Sequence, residues 1–281
     1  MRAELTSSVH AGVAGYRASG GRGGWFRIPR PNPKATWRVI CLPHAGGSAS
    51  FFHPWGGALP ADAELVVIQY PGREEAIGEA CIDDMDVMVR ALVQALSLTR
   101  ALLDKPYVLF GHSMGAAIAY ELCLALRFHR MPPPCLLALS ASEGPGARKP
   151  GALHRADDRD LLAEIVRLNG KLKHLMRSPE LTRLVLPALR SDYRLIETYG
   201  ARKPSLLQVH SPVLVLIGQH DEELSEDDAR AWQRIAVAGF DLCRFPGGHF
   251  YLSDQYSAIT EQIRQRLPGF LHAPPPGRDL P

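Results

Sequence analysis

Short apolar runs separated by amphipathic stretches make up most of the chain. Residues 37–42, 65–70, 107–110, 135–140, 212–217 and 241–245 are brief, mostly apolar and stopped by Gly, Pro or polar residues, which predicts buried strands. Between them lie segments with a helical period. Over 82–103, Met85, Met88, Val89, Leu92, Val93 and Leu96 share one face, and Asp83, Asp84 and Asp86 stand where carboxylates suit the helix dipole. The methionines on that face belong to a core. Further helices are expected over 113–128, around 227–236 and over 257–267. Strand, helix, strand in succession implies right-handed crossovers, hence an α/β fold with a mostly parallel central sheet and helices on both faces.

The rhythm breaks after residue 140. Residues 144–151 form a Gly/Pro/Lys/Arg linker, and two helical patterns follow over 158–168 and 179–199. Their apolar faces carry Leu161, Leu162, Ile165 and Leu168, then Leu181, Leu184, Val185, Leu189, Tyr193 and Ile196. With no strand over 150–205, the segment 146–204 reads as an inserted helical lid covering an apolar substrate channel; the other reading is a pair of ordinary layer helices. The core is then 25–145 together with 205–270. Residues 1–24, rich in Gly, Ser and Arg, and the Pro-rich 271–281 read as tails. The N-terminal stretch shares its arginines and scarcity of acids with organelle transit peptides, but its glycines oppose an amphipathic helix.

Composition narrows the class. At 281 residues the chain can bury a substantial core as one α/β domain with an insertion. Hydrophobic residues at 46% and charged residues at 22% exclude a wholly disordered chain. Lys and Arg number 32 against 29 Asp and Glu, so the net charge of +3 makes no case for nucleic acid, while leaving room for a local basic patch. The five cysteines, Cys41, Cys81, Cys123, Cys135 and Cys243, are odd in number and form no C-x-x-C pair. They read as reduced and structural, which points to a cytoplasmic setting. No apolar stretch approaches the roughly 18–20 residues that a membrane span needs, and no signal-peptide core is visible.

The chemistry centres on Gly111-His112-Ser113-Met114-Gly115, a G-x-S-x-G between an apolar strand and a small-residue helix start. A serine on such a turn is presented at the carboxyl edge of the sheet, and the amide after it, that of Met114, can serve an oxyanion. The Gly-rich loop Pro43-His44-Ala45-Gly46-Gly47-Ser48 follows an early strand and is expected to supply the second oxyanion donor, the amide of Ala45. A serine needs a base, and an imidazole base needs an orienting acid. Asp221 lies just beyond the 212–217 strand and His249 just beyond the 241–245 strand, in the nucleophile, acid, base order of α/β-hydrolases. Glu222, Asp227 and Asp228 compete with Asp221 for the acid. His44 and His112 sit in the loop and the elbow, where they shape backbone, and His220 points away from the site. Arg73, beyond the 65–70 strand, either helps shape the site or makes a structural ion pair. The histidines lack the H-x-x-x-H or H-E-x-x-H spacing of a zinc site, so no metal is called for.

Pro43-His44-Ala45-Gly46-Gly47-Ser48, Pro71-Gly72-Arg73-Glu74, the elbow, and Phe245-Pro246-Gly247-Gly248-His249-Phe250 together resemble the type II thioesterases, in the same order over about residues 39–267. These are the discrete editing enzymes of polyketide and nonribosomal peptide assembly lines. Residues 186–192 also look like that family's lid helix. One departure is Ile217-Gly218 before the acid, where members often carry paired glycines. The resemblance implies hydrolysis of acyl groups from the phosphopantetheine thiol of a carrier protein, through Ser113, His249 and Asp221, with no cofactor of the enzyme's own. A carrier is typically acidic, which makes Lys171, Lys173 and Arg177 candidates for docking it. The elbow and lid would serve a small-molecule carboxylesterase or lipase equally well, and a non-catalytic binding module could retain the same fold.

Overall fold

In the computed structural model, which describes residues 24–200 and 207–267, seven strands form one sheet. They are β1 (Phe26–Arg27), β2 (Trp37–Leu42), β3 (Ala63–Ile68), β4 (Tyr107–His112), β5 (Leu136–Ser140), β6 (Val213–Gly218) and β7 (Phe240–Phe245), in the spatial order β1-β3-β2-β4-β5-β6-β7. Only β1 runs antiparallel, along β3; the other pairings are parallel. Strands β2 to β6 are buried at every residue, which is why they read as continuous apolar runs rather than alternating ones. The half-exposed β7 includes Asp241 and Arg244 for the same reason.

Helices cover both faces. The helices are α1 (Trp55–Ala58), α2 (Met85–Leu98), α3 (Met114–Phe128), α4 (Asp158–Leu168), α5 (Pro179–Gly200), α6 (Glu226–Arg230) and α7 (Leu252–Gln265). Ile40, Leu42, Tyr107 and Leu109 pack on the α2 and α3 side, while Val39, Cys41, Val108 and Phe110 pack with Trp55 of α1 and Ile259 and Ile263 of α7. Each such side chain contributes roughly 1.5–3 kcal/mol by leaving water. Met85 and Met88 lie in the first layer, fully buried, as their helical spacing predicts. The five cysteines are all free thiols.

Boundaries moved where local chemistry outweighed periodicity. The helix expected over 82–103 is shorter, because the Asp84 carboxylate caps the Val87 amide and a 3-10 turn replaces the end at Arg100–Leu103. The last helix starts at Leu252 rather than 257, since the fully buried Leu252 already belongs to the α7 face. The helix expected around 227–236 splits into α6 and a 3-10 turn at Ala231–Arg234.

Among the described residues no strand interrupts the connection from β5 to β6. It includes a 3-10 turn at Leu153–Arg155, α4, an eight-residue 3-10 stretch at Gly170–Arg177, and α5. Leu161, Leu162 and Ile165 of α4 and Leu186 and Leu189 of α5 form a small apolar cluster separate from both sheet faces. Further along α5, Leu195 is buried in the main core against α2 and α3, so this helix bridges the two packing units. All but the last residue of the tail expected at 1–24, the tail at 271–281, and the junction near 205 lie outside the described residues. No described helix is long and apolar enough to cross a membrane.

Candidate active site

The register of the central strands sets where the site forms. β4 lies between β2 and β5, with Gly111 opposite Leu42 and His112 opposite Ser140, so three strand ends meet at one edge. Ser113 follows immediately with φ 54° and ψ −116°, a strained backbone for a residue bearing a Cβ, which costs on the order of 1–3 kcal/mol. The strain is held from both sides: the Ser113 amide donates to the Ser140 carbonyl at 2.8 Å, and the Ser113 carbonyl accepts from the Ala116 amide at 3.0 Å as α3 begins. Glycine is required on either flank, because a Cβ at 111 would overlap the Gly115 carbonyl and one at 115 would overlap the Leu42 carbonyl.

Two loops at the same edge complete the arrangement. His249 lies beyond β7, and its Nε2 is 3.1 Å from Ser113 Oγ. Its Nδ1 is 2.9 Å from Oδ2 and 3.1 Å from Oδ1 of Asp221, which lies beyond β6 with a fully buried side chain. Asp221 Oδ1 also accepts the Glu223 amide at 3.0 Å, which fixes the carboxylate independently of the histidine. Two of the competing acids are engaged elsewhere: Glu222 with Arg167, and Asp228 with Ser225 at the start of α6. The structure thus brings together the three residues expected at the site. With Nδ1–H held by a carboxylate, Nε2 is the nitrogen able to accept a hydroxyl proton.

The neighbouring histidines do not share that placement. His112 is fully buried, with Nδ1 2.9 Å from Ser140 Oγ, which in turn lies 2.7 Å from the Tyr251 hydroxyl. His44 packs edge-on against Phe51 and Phe250. Burial, reinforced by the charge of His249 and Arg73, pushes the His44 imidazole down to about 3, and burial with His249 and His44 lowers His112 far below its ordinary value. Both therefore stay neutral around His249. His220 is exposed.

Ala45 lies in the loop after β2, where the Gly47 amide closes a turn onto the His44 carbonyl at 2.9 Å. Among the described residues, no hydrogen bond occupies the Ala45 or the Met114 amide. Two cavities meet here. Ser113 and His249 open onto a polar one bordered by Ser142, Glu143, Arg148 and Lys149; Ala45 opens onto an apolar one lined by Ile165, Leu172, Val185, Leu189 and Phe250. Leu168 and Tyr193 border both.

Of its two expected roles, Arg73 makes the structural ion pair. Its guanidinium pairs with Asp192 of α5 at 2.6 Å, and its Nη1 also donates to the Gly47 carbonyl at 3.0 Å. Burial alone would lower its pKa, but Asp192 outweighs that and keeps it charged. Asp192 escaped the sequence reading as a functional residue. Its signal was present: a carboxylate three residues after Leu189 and three before Leu195, on the buried face of an amphipathic helix. Of the basic residues expected to dock a partner, Lys173 and Arg177 are exposed on the 3-10 stretch, and the Lys171 side chain lies outside those described.

The sequence model of the thioesterase domain matches residues 37–267. The chain is similar to a probable cadicidin biosynthesis thioesterase from Streptomyces griseus, 37% identical over 243 residues that cover 86% of this chain and 66% of that protein. Thioesterase PikA5 from Streptomyces venezuelae is also 37% identical over 243 residues, covering 86% of this chain and 85% of its own length. Among solved structures, the type II thioesterase BorB from the borrelidin biosynthetic cluster superposes with a TM-score of 0.76 at 38% identity, over 86% of this chain and 97% of that one. By sequence and by architecture, the chain belongs to the thioesterase family and has the α/β-hydrolase fold.

Proposed function

We propose that this thioesterase releases acyl groups from the phosphopantetheine arm of acyl or peptidyl carrier proteins, editing a polyketide or nonribosomal peptide assembly line, with Ser113 as nucleophile, His249 as base and Asp221 as its orienting acid. The observation that carries the proposal is the continuous relay from Ser113 Oγ to His249 Nε2 at 3.1 Å and from His249 Nδ1 to Asp221 at 2.9 Å. The origin of BorB in the borrelidin biosynthetic cluster and the naming of the Streptomyces griseus relative for cadicidin biosynthesis support the choice of substrate.

In the first half-reaction Ser113 Oγ forms a bond to the thioester carbonyl carbon as its proton passes to His249 Nε2. The resulting oxyanion is bound by the amides of Ala45 and Met114, whose dipoles need not reorganise as charge develops. Collapse breaks the carbon–sulfur bond, and the departing thiol takes the proton from His249. In the second half-reaction water attacks the acyl-serine, its proton passing to His249 and then to Ser113 Oγ as the acid leaves. Asp221 keeps Nδ1–H in place and offsets the imidazolium charge throughout. The phosphopantetheine belongs to the substrate.

The two cavities suit the two halves of such a substrate. The apolar cavity beside Ala45 accommodates an acyl chain, and the polar one beside Ser113 accommodates the hydrogen-bonding pantetheine arm. Segment 146–204 then acts as a lid, since α4 and α5 furnish most of the apolar wall. Docking of an acidic carrier on the exposed Lys173 and Arg177 fits their charge.

The test is acyl release from a loaded carrier protein, comparing wild type with Ser113→Ala. Release should fall on the order of 10⁴–10⁶-fold in the variant. Equal release by the two proteins overturns the proposal, and a markedly higher kcat/KM on oxygen esters than on carrier thioesters assigns the site to carboxylester hydrolysis instead.

A further inference from the structure

The loop that presents the Ala45 amide is clamped by a helix from outside the sheet core. Gly47 N–H closes the turn onto the His44 carbonyl, Gly46 takes φ 73°, and Ala45 keeps a negative φ. That combination is a type II turn, in which the central Ala45–Gly46 peptide is flipped relative to the commoner type I. The acceptor that selects the flipped peptide stands on α5: Gly46 N–H donates to Asp192 Oδ2 at 2.7 Å, and Asp192 is fully buried. Turning the peptide over would aim the Ala45 carbonyl at the same carboxylate. Arg73 holds both Asp192 oxygens, at 2.6 and 2.9 Å, and the Gly47 carbonyl at 3.0 Å. Tyr70 lies beneath the guanidinium, 5.3 Å from ring centroid to Cζ, and donates its hydroxyl to the Pro43 carbonyl at 3.2 Å. One turn before Asp192, Leu189 presses on the loop so closely that a Cβ on Gly46 would come 2.7 Å from Leu189 Cδ1.

A buried ion pair is often no more stabilising than apolar side chains of similar volume, so stability alone does not account for Arg73 and Asp192. A carboxylate does offer the Gly46 amide a charge-assisted bond, stronger than a neutral acceptor would make. We propose that Asp192, held by Arg73, is a positioning residue that locks the Ala45–Gly46 turn and thereby fixes the Ala45 amide where the oxyanion develops. This rests on the reading of Ala45 as an oxyanion donor. It makes the oxyanion site a joint product of the sheet edge and α5, so that displacing α5 disarms the enzyme even with Ser113, His249 and Asp221 intact.

Three variants test it through kcat and KM on an acyl-carrier thioester, with thermal unfolding recorded for each. The double variant Arg73→Met/Asp192→Leu replaces the pair by apolar side chains, leaving no buried charge uncompensated. It is expected to unfold cooperatively, with KM within about 3-fold of wild type and kcat lower by about 10–100-fold, less than the loss on removing an oxyanion donor outright. Asp192→Asn retains an acceptor oxygen without the charge and is expected to lie between wild type and the double variant. Ala45→Pro deletes the donor itself, and proline suits the second position of a type II turn; kcat should fall about 10²–10³-fold. A folded double variant with wild-type kcat, alongside an impaired Ala45→Pro, overturns the role of Asp192 while leaving the donor reading intact. Wild-type kcat in Ala45→Pro overturns the donor reading itself. Should the double variant fail to fold, Asp192→Asn decides: unchanged kcat, or a change in KM alone, overturns the proposal.

Discussion

Gly115, in the first turn of α3, rests directly on the Leu42 carbonyl at the end of β2, with no room for a Cβ between them. This contact brings the elbow of Ser113 and the loop of Ala45 to the same place. Gly115→Ala must drive the two backbones apart, and backbone yields less readily than the far end of a side chain. The expected cost is about 1–3 kcal/mol or more of stability, as for overpacking generally, together with at least a tenfold fall in kcat. Denaturant unfolding and acyl-release kinetics on the same preparation check both.

The members of the relay should not contribute equally. Within the relay Asp221 touches only His249, so Asp221→Asn leaves the nucleophile and base in contact while favouring the wrong imidazole tautomer. A loss on the order of 10⁴-fold in kcat is expected, with Ser113→Ala losing at least as much. Because the residues act as one unit, a Ser113→Ala/Asp221→Asn double variant should be hardly slower than Ser113→Ala alone. Multiplicative losses in kcat would contradict a shared relay.

His44 and His112 should make stability fall in acid. Burial lowers both imidazoles in the folded protein, His44 to about 3 from an ordinary value of 6.5. Above pH 6.5 neither state binds the proton and the full stability is present. Between pH 6.5 and 3 the unfolded chain takes up the His44 proton and the folded one does not, so stability drops by roughly 1.4 kcal/mol per pH unit for each such histidine. Denaturant unfolding at pH 7, 6 and 5 should show this slope, flattened by about one proton in His44→Asn and again in His112→Asn.

Chain-length preference should follow the apolar cavity. Ile165 and Val185 line it and neither reaches the polar cavity that Ser113 borders. Val185→Phe narrows the space for an acyl chain without touching the relay. The ratio of kcat/KM for a long acyl chain to that for acetyl should fall, by roughly 1–3 kcal/mol for each methylene no longer accommodated. A uniform loss across chain lengths would place the chain elsewhere.

The six parallel strands of the sheet and the elbow were legible without coordinates because they are local facts, whereas the two-residue antiparallel edge strand β1 was not. A buried parallel strand must be apolar along its whole length, and a serine turn between strand and helix must carry glycine on each flank, so 107–115 announces itself in the order of its residues. The same locality explains why Asp221 and His249 were recognisable, each standing just past a strand whose end points to the same edge. Helix boundaries were less legible, since a single side-chain cap such as Asp84, or one buried residue such as Leu252, outweighs several turns of periodicity. The coupling of Arg73 to Asp192 lay beyond a linear reading altogether. The two are 119 residues apart, and a buried carboxylate declares its partner only once packing of α5 against the loop has removed water from both. Chain order thus sufficed for which groups stand at the edge of the sheet; desolvation and long-range packing determined which of them act on one another.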